Sequence, residues 1–437
     1  MFLIAIACSD RSEQADTASA LEAPTWHADS RIASLLRVEW EQPVPGLAHV
    51  EYEVDGEWRS SPERQVDAGP VEQIVLGVPF DTEVRVRVRT ESAVSDVVTA
   101  RTGPLPAGLP LPELLLADDA LVESTDRFLL GSVNSADGGW NSGEYWMWIL
   151  DHQGRVVWAL PGEDEHFTIW LQTSLDDDIL WDVSTYWSNF DQGAESRIHR
   201  MKLDGVVSET IDAPGMHHAF LELPDRSILW GGALDGAEKL LVQSPEGEVE
   251  TLWDCAPFYE RMDLNGWCHT NSIWLDEERD RFVLSFPTRR TFVLEIDAQT
   301  GEELRWFGYI PESWDFESPE TAFVYQHGVS FTDEGTLLVS SQVDRESYEG
   351  VVREYLVDED TQTLRQVWSH GEGDGITARF AGEAHRLPGG NTLHNTGTTP
   401  RVREITPEGE VAWDLAFEGD KLIGRTIWLE DLYRYAP

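Results

Sequence analysis

The densest run of reactive side chains is His269-Thr270-Asn271-Ser272, preceded by Trp267-Cys268 and followed about twenty residues later by Arg289-Arg290. An imidazole, a hydroxyl, an amide and two guanidiniums suit an anionic oxyanion centre, which they hold by charge and hydrogen bonding. The run leads into an apolar strand-like stretch, and Phe282 to Ser285 is a second such stretch just before the arginines. A hairpin brings one strand's start beside the next strand's end, so the two groups can converge. Taken alone, His269 and Asn271 equally suit a turn whose backbone groups they satisfy.

Two further histidine stretches sharpen the reading. His218, in Met216-His217-His218, stands nine residues before Ser227, which opens an apolar strand. His327, in Gln326-His327-Gly328, stands nine before Thr336, which opens another. His269 holds the same place in the segment between them, with a longer turn, Asp276 to Asp280, before its strand. The three are 51 and 58 residues apart, so successive structural units aim them at one axis. His385 and His166 fall out of that register and read as structural.

The units themselves are visible as a repeat of a turn followed by an apolar strand ending in Trp. Copies begin at Asp151, Asp204, Ser244, Asp297, Asp358 (degenerate) and Thr406, and reach Trp158, Trp253, Trp306, Trp368 and Trp413 in all but the second. Six copies at roughly 40 to 60 residues, with almost no helical periodicity, predict a six-bladed β-propeller over residues 113–437. Strands near residues 113 to 130 are expected to complete the last blade. Each innermost strand faces the central channel, and there the three histidines would meet.

Ahead of the repeat, residues 26–103 carry alternating strands such as Glu83 to Arg89. The stretch Leu76 to Thr82 resembles the corner of a fibronectin type III-like, immunoglobulin-like β-sandwich, with Val84 where the corner tyrosine usually stands. This unit carries no clustered chemistry and reads as a spacer or docking domain. A stiff Pro-rich linker, residues 104–112, separates the two. The fold class is therefore all-β.

Residues 1–25 read as a lipoprotein-type signal remnant and flexible tether, with an apolar run and Ala7 directly before Cys8. Lipidation of Cys8 would be the only membrane contact, because no run of 18 apolar residues occurs. The expected location is the periplasm or cell surface. Cys255 and Cys268 remain, thirteen apart, and in an exported protein they would pair as a disulfide leading into His269. A reduced, buried pair is the alternative. The formal charge of −48 is spread along the chain and repels phosphate backbones, which excludes nucleic acid as a partner.

The linker Thr102 to Pro110, the repeated Gly-Val-Val-Trp pattern, His269 to Ile273, Gln326-His327 and Leu387 to Leu393 together resemble the bacterial arylsulfate sulfotransferase family. The resemblance implies transfer of a sulfuryl group between small aromatic sulfate esters and phenols, with no cofactor and no nucleotide donor. It further implies His327 as the nucleophile that becomes sulfated, His218 and His269 as flanking catalytic histidines, and Arg289 or Arg290 as the sulfate-binding arginine. Asn271, Thr270, Arg290 and His217 would contact substrate. Two departures stand out: Gly328 follows His327 where the family carries Asp, and the arginine loop is one residue off register. The absence of a Gly-rich phosphate loop agrees with nucleotide-free chemistry. Two other readings compete: a metal-dependent lyase or hydrolase built on three histidines, and a non-catalytic surface binding propeller.

Overall fold

Strands dominate because the apolar residues recur every second position between Gly- and Asp-rich turns. The structure is a computed structural model that describes residues 21–137, 144–184, 195–234, 237–264, 268–287 and 291–437. Cys8, Arg289 and Arg290 lie outside the described residues.

The N-terminal part is two antiparallel sheets. One holds Thr25–Ala28, Leu36–Gln42 and Gly69–Val75; the other holds Gly46–Val54, Glu57–Ser60, Arg64–Val66, Glu83–Thr90 and Val98–Arg101. Their inward residues, among them Val38, Trp40, Val50, Val86 and Val88, form one core cluster. At the corner, the hydrogen bond that Val84 cannot make comes from elsewhere. The Tyr52 hydroxyl donates to the Leu76 carbonyl at 3.1 Å, and the Leu76 N–H donates to the Tyr433 hydroxyl at 3.2 Å. The second bond ties this part to the chain's C-terminal end.

Among the described residues six sheets follow, each built on four antiparallel strands; two gain a fifth, and in the fifth sheet this is Asp315–Phe316, parallel to Thr363–His370. The first is closed from the far end of the chain, where Ile427–Leu429 pairs with Phe128–Asn134. In the sixth, Pro112–Ala117 adds outside Val411–Phe417. So residues 112–117 do join the last sheet, whereas Phe128–Asn134 belongs to the first. The expected completion by strands near 113 to 130 holds only for the earlier of the two, because the chain's last strand takes the inner position.

The repeat has a local cause. In all six sheets the register slips between the third and fourth strands. The turn there places Gly154, Gly205, Gly247, Gly301 and Gly409 at φ between 69° and 88°, where only glycine is free of Cβ strain. The degenerate copy puts Gln362 there at φ 55°. The repeated tryptophan then crosses to the next sheet: Trp158 Nε1 donates to Leu203 O, Trp368 Nε1 to Pro407 O and Trp413 Nε1 to His152 O, at 2.7 to 2.9 Å.

Burial falls from the first strand outward. Met216 to Phe220 are buried, while the fourth strand Val207–Asp212 is mostly exposed.

Candidate active site

Two of the first strands are deformed at the step that carries histidine. Met216–Glu222 pairs with Ile228–Leu234 evenly from Phe220 onward, but its register breaks between Met216 and Phe220, with His218 at φ 59°. Val324–Phe331 breaks in the same way between Val324 and Gly328, with Tyr325 at φ 52°. A bulge bends the strand and re-aims its side chains, and a non-glycine residue at positive φ costs about 1–3 kcal/mol. Such cost is tolerated where the side chain has a task. His269, Thr270 and Asn271 enter the strand Ser272–Asp276, and the Asn271 N–H donates to Ser285 O at 3.1 Å.

A cavity of about 40 Å³ opens where the first strands begin. Each of the six sheets lines it: Trp170, His218, Asn271, His327, Glu383 and Arg425 are the principal side chains. The volume suits a water or two, or a small oxyanion group, rather than an aromatic ester. Sheet spacing is tight here. A Cβ on Gly328 would lie 2.6 Å from Glu383 Cα, so the strand that carries Glu383 leaves no room for a side chain at the position where the resembled family carries Asp. The cavity's carboxylate is Glu383 instead.

Behind His218 lies a second polar layer. His218 Nε2 and His269 Nε2 are 2.9 Å apart, a contact that needs one ring to donate and the other to accept. The His269 ring stacks on His217 with centroids 5.0 Å apart. His217 Nε2 in turn meets Glu238 Oε2 at 2.8 Å, and the other Glu238 oxygen accepts from Thr270 N at 3.2 Å. Burial, followed by the neighbouring rings, holds His218 and His269 well below the ordinary imidazole range. Both are therefore neutral at physiological pH.

His327 stands differently. Its ring is half-buried, with Tyr325 and Phe380 at centroid distances of 5.3 and 6.3 Å. Burial pushes its pKa down to about 4, with the Tyr325 carbonyl pulling the other way. Gln326 beside it donates through Nε2 to Phe286 O at 3.2 Å and Phe292 O at 2.8 Å, clasping both ends of the segment that runs through Arg289 and Arg290. Asn271 Nδ2 donates to Gln326 O at 3.1 Å, which leaves Oδ1 without a protein donor.

Of the residues singled out from sequence, His218, His327 and Asn271 line the cavity, while His217, His269 and Thr270 form the buried layer nearby. Cys255 and Cys268 are joined as a disulfide, with Cα atoms 6.4 Å apart, so the helix Cys255–Arg261 is tied to the residue before His269. His385 faces a different pocket, 3.0 Å from Glu383, and His166 bonds the Asp164 carbonyl. Sequence reasoning missed Glu238, Glu383 and Arg425. Glu238 had a signal: it shares the buried phase of its strand with Leu240 while Lys239 between them is more exposed.

The Arylsulfotransferase (ASST) family model matches residues 133–411. The chain belongs to that family. The match reaches into all six sheets and takes in every residue of the cavity except Gly424 and Arg425. No curated protein matches the chain. Among solved structures, a Bacteroides caccae protein of unknown function is 18% identical, with TM-score 0.46, covering 70% of this chain and 99% of its own. Virginiamycin B lyase from Staphylococcus aureus is 10% identical, with TM-score 0.41, covering 71% and 98%. A β-propeller domain from Myceliophteria thermophila is 14% identical, with TM-score 0.42, covering 72% and 99%.

Proposed function

We propose that the six sheets are the blades of a six-bladed propeller, preceded by a fibronectin type III-like sandwich. In its channel, sulfuryl groups pass from an aryl sulfate to a phenol through a sulfohistidine. The observation that carries this reading is a cavity of oxyanion size, lined by His327 and His218, in a chain of the arylsulfotransferase family.

The chemistry follows from the proton states. His327 is neutral above about pH 4, so a ring nitrogen offers its lone pair to sulfur. The nitrogen–sulfur bond forms as the sulfur–aryl oxygen bond breaks, and the phenolate leaves with the bonding pair. In the second half the acceptor phenol's oxygen attacks sulfur, and the pair in the nitrogen–sulfur bond returns to His327. The phenol proton passes to the His218–His269 pair. A bound sulfate ester sets negative charge beside that pair and raises its proton affinity from the depressed resting value. Asn271 Oδ1, lacking a protein donor, can receive the acceptor's O–H. Arg289 or Arg290, by the family motif, would hold sulfuryl oxygens as the transition state spreads charge over them.

A metal reading has one observation in its favour: ligand atoms of His217, His218 and His269 lie within 4.8 Å of one another. Binding an ion there through Nε2 of His218 and His269 would break the bond between them, which weighs against it. Incubation of the full chain with 4-nitrophenyl sulfate alone, followed by peptide mass spectrometry, tests the proposal. A sulfuryl adduct on His327 and release of one equivalent of phenolate are expected. Turnover with an unmodified His327, or turnover abolished by chelator, would refute it. For location, the proposal keeps Cys8 as a lipid anchor in an oxidising compartment, which an unacylated Cys8 in exported protein would rule out.

A further inference from the structure

The segment that closes the first sheet delivers a cation to the cavity. Arg425 precedes Ile427–Leu429, and its backbone N–H donates to Ile169 O at 2.7 Å, while Gly424 N–H donates to Ser132 O at 3.0 Å. The residue is thus pinned to two neighbouring sheets. Its side chain is 13% exposed, and the guanidinium carbon sits 4.5 Å from the centre of the Trp170 ring. Resting on an indole face holds a guanidinium in place by cation–π attraction and leaves its N–H groups to be met along its edges.

No protein acceptor meets those edges fully. Glu383 Oε2 lies 3.8 Å from Nε, beyond hydrogen-bond reach. The carboxylate is engaged elsewhere: Oε1 accepts from Thr426 N at 2.6 Å, and Oε2 lies 3.0 Å from the His385 ring. Among the described residues, Nε and Nη1 of Arg425 are consequently buried donors without a partner. Buried donors are almost always satisfied, so two on one guanidinium beside a cavity point to an acceptor that arrives with the ligand. His218 and His327 line the same cavity.

We infer that Arg425 binds the sulfuryl group, its guanidinium donating to the non-bridging oxygens while His327 holds or attacks the sulfur. This assignment rests on the sulfotransferase reading. The planar guanidinium offers fixed N–H donors along more than one edge, whereas a lysine ammonium offers a single point charge. Glu383 balances the guanidinium charge when the cavity is empty.

The test uses the full chain and three variants, Arg425→Gln, Arg425→Lys and Arg434→Gln. Arg434 borders the larger pocket of about 400 Å³ that also touches Arg425, but not the small cavity. With 4-nitrophenyl sulfate and phenol, Arg425→Gln should lower kcat/KM by roughly 10²- to 10³-fold at unchanged melting temperature, the size of a lost oxyanion donor. Arg425→Lys should recover only a minor part, and Arg434→Gln should match wild type. Calorimetric binding of inorganic sulfate should weaken in parallel in the two Arg425 variants. If wild type neither turns over nor forms the adduct, the sulfotransferase reading fails, and the sulfate titration alone then judges Arg425. Arg425→Gln within twofold of wild type in sulfate affinity, or an equal loss in Arg434→Gln, would overturn the assignment.

Discussion

His218 and His327 stand at the same step of two first strands, four residues before Glu222 and Phe331, the last paired residues of their hairpins. Both sit where the ladder slips. Their surroundings then diverge. His218 is backed by His269, a hydrogen-bonded partner that can share its proton, and behind that ring by His217 stacked on it and paired with Glu238. His327 has Tyr325 and Phe380 for neighbours, rings that desolvate it without offering a proton acceptor of comparable strength. The backbone slot sets where a histidine points; under the proposed mechanism, the second layer decides which one handles protons and which carries the sulfuryl group.

Exchanging their fates experimentally is the strongest way to break this comparison. His327→Ala should abolish the phenolate burst and turnover together, since no other group replaces the covalent adduct. His218→Ala should still form the adduct on His327 while turnover falls by roughly 10²- to 10⁴-fold, the range for losing a proton-transfer partner. Stopped-flow release of 4-nitrophenolate separates the two, and a burst surviving in His327→Ala would reverse the roles.

Acidification probes the same contrast. The His327 ring is neutral down to about pH 4, so the acid limb of the burst rate should fall near 4 rather than at the ordinary imidazole value of 6.5. Stability moves the other way from a surface histidine that gains a partner. These rings bind protons less readily folded than unfolded, so below about pH 6.5 the unfolded chain takes up more protons, and the melting temperature should drop steadily toward pH 4. An acid limb at 6.5 would mean His327 is far better solvated than its neighbours suggest.

The smallest effect is expected behind the histidine pair. Glu238→Gln keeps the shape but removes the charge behind His217, and kcat should decline about tenfold with KM unchanged, less than the loss of His218 itself. A wild-type kcat in this variant would confine Glu238 to architecture.

Much of this arrangement was readable in the residues. The six copies were visible because each turn needs a left-handed glycine, and the fifth, with Gln362 there, survived on spacing alone. The nine-residue interval placed His218 and His327 on equivalent strands. Glu238 was hidden only by inattention to alternation, since a carboxylate in phase with Leu240 is an inward carboxylate. Arg425 was hidden for a deeper reason. It reaches the cavity through the pairing of Leu129 with Trp428, and no local pattern reports which distant strand will lie beside Phe128–Asn134.

That same pairing governs how the molecule is born. On the ribosome, the strand Phe128–Asn134 emerges early and keeps an open edge until Ile427–Leu429, made much later, arrives beside it. The Tyr433 hydroxyl then fastens the tail to Leu76 in the N-terminal part. Until then the cavity lacks the wall made by Gly424 and Arg425. A nascent chain, or one cut before Gly424, is sticky at its exposed strand and has an incomplete cavity, so the walls of that cavity close only after the last sheet partner has arrived.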